Sequence, residues 1–571
     1  MARKYWPLAA LAIAVAILYG RTAFFAYLRL DDWGYTAGCP FVPSGLTADN
    51  ISAAFSRFTY GGIWMPLTFI SYMADVSLFG GGWFAHHAMN AALHAVNAIA
   101  VFCFILMMLR SGAEAQSRPR QAVLAAFFAA LIWAVHPQRA EVVCWIASRK
   151  EELWTLFALL AMMTWVRRRF AAGCCFTVLA CLSKPAAVAL VPLLFLLEMC
   201  HPGFRQEGDA ALQKGFFASL FTVARRIVPR YALLSLFAIV TGLIALVSQT
   251  SPEGLAPVPL APVPLHERAF RFLCASGAYL GQALAPFGLH FDYIETAPAF
   301  AAVAVAVCCM LVLLAGRQAL FALLFMLIAL LPVSGLFGGF GEHARADRFF
   351  YFPSVGLALL VARLMMRIRS PKILSAVAGA FALACAVLSW PLVSSYRNDF
   401  TAFSRALAID DCHWRALQHV GSEYCARLGR MDEGLEMLRR SYAISKRDST
   451  AEVLAYALAC RGDTGDAPEI RALCSKIEAR PAADRRGMMA EALAAVCMWE
   501  EKWDDAERLL RASIKAPERF YSATEATFRL ARTLSAKGDE QGARALLRQM
   551  AISEERPVRI RALQALEELG G

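Results

Sequence analysis

The stretch AMNAALHAVNAIAVFCFILMML, residues 88–109, contains no charged side chain and ends directly before Arg110. Because a helix that crosses a bilayer needs about 20 mostly apolar residues, this segment predicts a membrane-spanning helix. Similar apolar runs, several of them followed by basic residues, continue as far as Trp390. Of the 571 residues, 58% are hydrophobic and 18% are charged, and the mean hydropathy is +0.48. This composition indicates a membrane protein and not an ordinary soluble chain.

We predict about eleven spans from the apolar runs. They cover residues 7–28, 88–109, 122–135, 152–166, 170–182, 186–199, 231–248, 299–315, 319–333, 349–366 and 374–390. With a cytoplasmic N-terminus, the basic loops 110–120, 167–169, 200–230, 316–318 and 367–372 all lie inside, as the positive-inside rule requires. This scheme needs residues 268–290 to lie along the outer surface. It makes the first apolar run an uncleaved span of the inner membrane, since no small-residue cleavage site follows it.

From residue 396 onward the composition changes, and no run is long enough to cross a bilayer. Small residues follow turn-like stretches at Gly434, Ala467, Ala506 and Ala543, which lie 33, 39 and 37 residues apart by subtraction. These intervals are close to the period of about 34 residues in tetratricopeptide (TPR) repeats. We therefore predict an all-α chain, with a polytopic helix bundle over residues 1–395 and a soluble, extracytoplasmic TPR-like α-solenoid over residues 396–571. The solenoid offers a concave surface for a partner, or alternatively a structural cap.

The charge distribution argues against a nucleic-acid partner, and the spacing of the cysteines argues against a cysteine metal site. The formal net charge is +12, but the cations of the membrane part lie mainly in short loops, where they set orientation, so we expect no nucleic-acid partner. The 16 cysteines are scattered and lack metal-ligand spacing. We interpret them as small buried apolar side chains.

Two adjacent carboxylates, Asp31 and Asp32, follow the first predicted span directly. Charges at a membrane boundary are costly, so they usually have a function there. A carboxylate at this place can take the proton of an acceptor hydroxyl as that hydroxyl attacks a sugar. We place Asp32 slightly ahead of Asp31 as the base. The alternative is an acidic helix end or an ion pair with Arg29.

Three blocks resemble the transmembrane and tetratricopeptide-repeat O-mannosyltransferases and their bacterial relatives. They are WMPLTFISYMADVSLFGGGWFAHHAMNAALHAVNA at residues 64–98, ALIWAVHPQRAEVVCWIASRKEELWTLFALL at 130–160, and RADRFFYFPSVGLALL at 345–360. Together with Asp31 and Asp32 they follow the order of the family's motifs. The resemblance covers most of residues 30–360.

The resemblance implies a GT-C glycosyltransferase, a multi-span enzyme that uses a polyprenyl-phosphate sugar and carries an acidic motif in its first outer loop. Asp31 and Asp32 match that motif, so it implies a catalytic role for them. The chain departs from the family at Pro185, where relatives often carry Glu, and this puts the role of the neighbouring Lys184 in doubt.

The leaving group of such a reaction is a lipid phosphate, whose growing negative charge calls for cations. The predicted topology places five cations at the outer boundary, and snorkelling to the interface is the alternative role for each of them. They are Arg149, Lys150, Lys184, Arg345 and Arg348, with Arg348 as our first choice.

Several uncharged or acidic polar residues complete the predicted site. His87, Asn90, His94 and Asn97 fall on one face of the second span, which we expect to face protein and not lipid. Two roles for this stripe are considered. It orients the acidic loop or the donor, or it forms interhelical hydrogen bonds and has no catalytic role. Glu141 pairs with a cation, contacts the acceptor, or is a solvated loop carboxylate.

We expect no cofactor, with a divalent metal at His86 and His87 as the less favoured alternative. The favoured function is an inverting transfer of a sugar from a polyprenyl-phosphate carrier to a protein or glycan acceptor outside the cytoplasmic membrane. The TPR-like domain would recruit that acceptor. The rival functions are a lipid or solute transporter and a non-enzymatic assembly scaffold, which would need only one span.

Overall fold

The computed structural model describes residues 2–28, 30–58, 64–201, 216–249, 263–294, 297–315, 317–336, 345–478, 487–515, 524–553 and 556–570. The chain divides into two compact units, Met1–Ala402 and Phe403–Gly571. Within the described ranges all regular structure is helical, and Tyr293 and Arg345 form an isolated antiparallel bridge. The all-α part of the predicted fold class is therefore confirmed.

The first unit is built from helices α1 to α17 with short 3-10 turns between them. The helices are α1 Ala2–Tyr19, α2 Asp32–Tyr35, α3 Ala48–Ser56, α4 Pro66–Phe79, α5 Trp83–Arg110, α6 Ala113–Ser117, α7 Pro119–Val135, α8 Ala140–Cys144, α9 Arg149–Val166, α10 Phe170–Ser183, α11 Leu190–Cys200, α12 Phe216–Gln249, α13 Leu265–Leu284, α14 Ala299–Ala315, α15 Arg317–Leu330, α16 Ser354–Met365 and α17 Pro371–Ser395. The 3-10 turns that matter for the site are Gly20–Phe24, Pro137–Arg139, Ile146–Ser148, Pro185–Ala189 and Asp347–Phe350.

Three helices in the described ranges are long and apolar enough to cross a membrane: Tyr5–Phe24, Trp83–Arg110 and Pro371–Ser395. A fourth span results if Pro119–Val135 and Pro137–Cys144, which meet at a bend of 61°, count as one. The other apolar helices are shorter, so the total of eleven spans stays a prediction. The chain is thus a membrane protein by its helices, while its sidedness also stays a prediction.

Helix α5 lies at the centre of the first unit. Apolar residues cover most of its surface, so neighbouring helices can pack closely against it. Its apolar residues Val101, Phe104 and Ile105 are fully buried. Neighbouring helices α1, α7 and α9 pack on it. This places the polar positions of α5 against protein and not against lipid.

The segment 268–290, which we expected to lie on the surface, is largely the helix α13. Its N-terminal half carries charged residues, while its C-terminal half from Cys274 to Gln282 is buried. Gly277 lies against the Phe300 backbone of α14, where a side chain would have no room. Helix α13 is therefore packed against protein along half its length.

The second unit is a series of helices, most of which are amphipathic. Following α18, which is Asp399–Ile409, they are α19 Trp414–Ala426, α20 Met431–Ser445, α21 Asp448–Arg461, α22 Ala467–Glu478, α23 Gly487–Trp499, α24 Trp503–Ile514, α25 Thr524–Ala536, α26 Glu540–Ala551 and α27 Arg556–Glu568. The four small residues that suggested repeats all lie in the first turn of α20, α22, α24 or α26. At Gly434, a Cβ would come within 2.6 Å of the Gly421 carbonyl oxygen, so the helix pair needs glycine there. The TPR-like assignment itself stays a prediction.

Candidate functional site

Asp32 begins α2 and is completely buried. Its Oδ2 accepts a hydrogen bond from the Leu28 N–H at 2.9 Å, and its Oδ1 accepts one from the Ala147 N–H at 2.8 Å. Burial raises the pKa of Asp32 to about 8, although the two backbone N–H groups act in the opposite direction. The Asp32 carboxylate therefore links two segments, the end of the first predicted span at Leu28 and the turn before α9 at Ala147.

Asp31 lies at the N-cap of α2 and is half-buried, and its side chain forms no capping hydrogen bond. Its charge interacts with those of Lys150 and Arg348. Arg29, the alternative ion-pair partner, lies outside the described residues. The two adjacent carboxylates thus have different surroundings, and the charge of Asp31 acts on two of the predicted cations.

Arg149 is fully buried at the start of α9 and is bound on several sides. Its Nη1 lies 2.5 Å from Asp75 Oδ2, its Nε donates to Asn90 Oδ1 at 2.8 Å, and its Nη2 donates to the His86 carbonyl oxygen at 2.8 Å. The guanidinium also lies over the Tyr72 ring, 4.4 Å from its centre. Arg149 therefore ties α4 and α5 to α9.

His86 completes this group, since its Nδ1 lies 2.8 Å from the same Asp75 oxygen. We call Asp75, His86, Asn90 and Arg149 the Arg149 network. The sequence analysis missed Asp75. A carboxylate within the apolar helix α4 was the available signal, because an acid in such a helix is costly unless it is paired.

Lys184 and Glu151 form a buried ion pair. Glu151 also accepts a hydrogen bond from Trp154 Nε1 at 2.8 Å. Burial lowers the pKa of Lys184, while the charge of Glu151 acts in the opposite direction. Glu151 was not predicted, although its place beside Lys150 in the apolar surroundings of α9 was a visible signal.

Arg348 and Glu141 form a second buried ion pair. The Arg348 backbone N–H also donates to Glu141 Oε2 at 2.8 Å. The Arg348 guanidinium lies 4.9 Å from the ring centres of Trp145 and Phe349. Of the three roles considered for Glu141, the structure shows the pairing with a cation.

Lys150 differs from these two cations because it has no carboxylate partner within ion-pair distance among the described residues. Its Nζ donates to the Tyr35 hydroxyl at 3.3 Å and lies 4.6 Å from the centre of that ring. The charges of Asp31, Glu151 and Lys184 all act on it. Three acids and three bases thus lie within electrostatic range of one another, and we call them the charged cluster: Asp31, Glu141, Lys150, Glu151, Lys184 and Arg348.

Arg345 lies outside this cluster. Its Nη1 donates to Gln282 Oε1 at 2.6 Å and lies 3.8 Å from Asp347 Oδ1, and its guanidinium is 3.5 Å from the centre of the Tyr293 ring. Asp347 Oδ2 accepts from the Tyr293 hydroxyl at 3.0 Å. Burial raises the pKa of Asp347 to about 7, while Arg345 acts to lower it. Arg345 therefore holds α13 to the turn before α16.

The polar stripe of α5 is buried, as we expected, and its members bond mainly to backbone groups of other segments. His94 Nε2 lies 2.9 Å from the Ala134 carbonyl oxygen, and Asn97 Nδ2 donates to the Glu152 carbonyl oxygen at 3.0 Å. His87 Nε2 lies 3.4 Å from the Ala26 carbonyl oxygen. The interhelical hydrogen bonding considered for the stripe is therefore present.

No group of three or more His, Cys, Asp or Glu side chains in the described ranges is arranged to hold a metal ion. Of the two histidines considered as ligands, His86 is engaged by Asp75. The metal hypothesis stays an untested alternative.

The chain is similar to protein O-mannosyl-transferases of mammals. It is 23% identical to TMTC3 of Homo sapiens over 398 residues, which are 62% of this chain and 42% of that protein. It is 23% identical to TMTC3 of Mus musculus over 402 residues, with the same shares, and 27% identical to TMTC1 of Mus musculus over 176 residues, which are 29% of this chain and 18% of that protein. No protein-family model matches the chain.

These alignments span less than half the length of the relatives. The similarity makes the chain a distant relative of the TMTC O-mannosyl-transferases and confirms the family suggested by the three sequence blocks.

Proposed function

We propose that this chain, as a distant relative of protein O-mannosyl-transferases, is an inverting GT-C glycosyltransferase. It moves a sugar from a polyprenyl-phosphate carrier to a hydroxyl of an acceptor on the outer side of the cytoplasmic membrane. The observation that carries the proposal is the charged cluster, in which the charge of the half-buried Asp31 acts on two buried cations, Lys150 and Arg348. The relatives' printed names make mannose and a protein hydroxyl the first donor and acceptor to test.

We assign the base to Asp31. A general base needs a carboxylate oxygen that can approach the acceptor hydroxyl. Both oxygens of Asp32 are engaged by backbone N–H groups, and the residue is completely buried. Asp31 is half-buried and free of a capping hydrogen bond. Asp32 is then a positioning residue, which reverses the order in which we placed the pair from sequence.

Lys150 is the first candidate for the donor phosphate. Arg348 and Lys184 are each neutralised by a carboxylate, whereas the ammonium group of Lys150 donates, within the described ranges, only to the Tyr35 hydroxyl. An ammonium group can turn its remaining donors toward a phosphate oxygen. Arg348 and Lys184 are then secondary candidates, because each ion pair carries little net positive charge. Arg149 is excluded from direct contact because its Nε, Nη1 and Nη2 groups are all engaged, and Arg345 is a weaker candidate because it lies outside the charged cluster, against Gln282 and Asp347.

The charges of the cluster suit the transfer step. A bond forms between the acceptor oxygen and the anomeric carbon of the sugar, while the bond from that carbon to the phosphate oxygen breaks. The proton of the acceptor hydroxyl moves to Asp31, and the polyprenyl phosphate leaves. The phosphate gains one negative charge as Asp31 loses one, so the total charge of the cluster and the bound donor is unchanged. A buried site favours a step that moves charge over a short distance without creating a net charge.

The single displacement inverts the configuration at the anomeric carbon. A retaining reaction by double displacement needs a carboxylate nucleophile in addition to the acid–base residue. Asp32, the nearest other acid in the sequence, is fully engaged. The chemistry therefore supports the inverting mechanism.

We extend the proposal to the parts that surround the site. The short apolar helices complete a bundle of about eleven spans, the N-terminus is cytoplasmic, and the second unit is a TPR-like solenoid that recruits the acceptor. Reporter fusions at Arg168 and Arg369 should then be cytoplasmic, and fusions at Tyr35 and after the last helix should be external. A cytoplasmic reporter after the last helix would contradict this topology.

Transfer is tested with the purified full chain in liposomes that contain polyprenyl-phosphate mannose and an acceptor peptide. Mass spectrometry should detect a hexose on the peptide with the wild type and none with Asp31→Asn. Release of free donor across the bilayer without transfer would favour the transporter. The scaffold would be favoured if the chain shows no transfer and no transport with any donor, and if residues 396–571 capture protein partners.

A further inference from the structure

Four aromatic residues cluster at one end of the first two predicted spans. Phe24 is 78% exposed, Trp83 51% and Phe84 54%, and Tyr27 is half-buried. The rings of Phe24 and Phe84 are 5.6 Å apart, and those of Tyr27 and Trp83 are 5.9 Å apart. We call these four residues the aromatic patch. A cluster of this kind in water would be an unusual exposed apolar surface.

The patch is continuous with the exposed apolar surface of the two spans. Ile13 and Ile17, four residues apart on α1, are 59% and 66% exposed, and they lead toward Phe24. On α5, Val96 is also exposed. These helices are long and apolar enough to cross a membrane. The patch therefore lies where the lipid-facing surface of two spans ends.

The residue types fit the boundary between lipid tails and headgroups. Tyr and Trp combine an apolar ring with one polar group, and they are enriched at this level of a bilayer. The patch contains both types and no charged residue. Trp83 is the first residue of α5, directly after three glycines at positions 80–82.

The patch is connected to the acidic turn. Leu28, which follows Tyr27 in the chain, donates its backbone N–H to Asp32 Oδ2 at 2.9 Å. The Tyr27 ring also lies 6.4 Å from the ring of His86 in the Arg149 network. A change in the depth of the patch would therefore move the turn that carries Asp31 and Asp32.

We propose that the aromatic patch is an interfacial anchor, which lies among the lipid headgroups and holds the Asp31–Asp32 turn at their depth. The anchor itself requires only that α1 and α5 cross a membrane. Its effect on catalysis rests on the proposed function, because a polyprenyl carrier presents its phosphate at the same level. The partner of the patch is thus a lipid surface and not another protein.

The depth of Trp83 can be measured by fluorescence quenching of the full chain in liposomes. One lipid carries bromine close to the glycerol end of its acyl chains, and the other carries it at the chain ends. The emission of Trp83 is the difference between the emission of the wild type and that of the Trp83→Phe variant. The shallow label should quench this emission strongly, and the deep label should quench it weakly. Trp165, which is fully buried, serves as the control. Its emission, obtained in the same way with the Trp165→Phe variant, should be quenched by neither label. No quenching of Trp83, or stronger quenching by the deep label, would overturn the anchor.

The coupling to catalysis is tested with the triple variant Phe24→Ser, Trp83→Ser, Phe84→Ser. A small displacement of reacting groups is expected to slow transfer from a long-chain donor in liposomes about tenfold or more. Transfer from a short-chain donor in detergent should be unchanged, because no bilayer then sets the depth. An equal loss in both assays would overturn the positioning role. If no variant or wild type shows transfer, the proposed function fails while the quenching result still decides the anchor.

Discussion

The charged cluster and the Arg149 network each combine cations with carboxylates, and they meet at adjacent positions of the chain, since Lys150 belongs to one and Arg149 to the other. In the network, Arg149 is engaged by a carboxylate, a side-chain amide and a carbonyl group. In the cluster, Lys150 donates to a single hydroxyl. The same division separates Asp32 from Asp31. Hydrogen-bond saturation, and not residue type or sequence position, therefore distinguishes the groups that hold the fold from those that are available for chemistry.

The largest expected effect comes from Asp31→Asn. Loss of the general base should reduce transfer about 10²–10⁴-fold, with the protein still inserted and abundant. The measurement is the initial rate of hexose transfer in liposomes. Asp49→Asn, an exposed acid in α3, is the matched control and should retain the wild-type rate. Full activity of Asp31→Asn would remove Asp31 from the catalytic role.

Arg149→Gln tests the other half of the comparison. Removal of the guanidinium leaves Asp75 buried without its cation, which should destabilise the first unit by roughly 3–5 kcal/mol. The thermal midpoint in detergent should fall, and Asp75→Asn in the same chain should restore part of it. If the Arg149→Gln midpoint is unchanged while donor affinity falls, Arg149 binds the donor and does not only hold the helices.

Lys150→Met should affect binding more than folding. Loss of one charge-assisted contact is expected to weaken donor affinity about tenfold, which corresponds to about 1.4 kcal/mol. The thermal midpoint should stay near that of the wild type, because no buried carboxylate loses an ion pair. Lys372→Met, an exposed cation in α17, controls for net charge. A large fall in the midpoint of Lys150→Met would assign Lys150 to the structural group.

The smallest effect concerns pH and Asp347. Burial raises its pKa from the ordinary value of 3.8 to about 7, so the folded chain holds this proton more tightly than the unfolded chain. The associated stability is fully present below the unfolded pKa and is lost as the pH rises toward about 7. As the pH rises from about 4 to about 7, the thermal midpoint of the wild type should therefore fall relative to that of Asp347→Asn, whose amide oxygen can still accept from Tyr293. Parallel midpoints for the two proteins would show that Asp347 does not titrate in this range.

Much of the site was visible in the sequence because each of its charged residues lies in apolar surroundings. The stripe from His87 to Asn97 was placed correctly against protein by helical spacing alone. The sequence could not predict that Glu151 pairs with Lys184 or that Glu141 pairs with Arg348, since these partners are separated by 33 and 207 positions. Asp75 was missed for the same reason, because its cation lies on another helix.

The sequence by itself determined the helical class, the membrane character and the resemblance to the O-mannosyl-transferases, because apolar runs, helical periodicity and the three sequence blocks are local properties of the chain. Only the tertiary structure decided which charged groups are satisfied. Asp31 and Asp32 are identical side chains at adjacent positions, and no local rule distinguishes them. The fold directs the Leu28 and Ala147 N–H groups to Asp32 and leaves Asp31 among the cations. A buried polar group must find a partner wherever the packed chain supplies one, so its role depends on contacts that form only when distant segments meet.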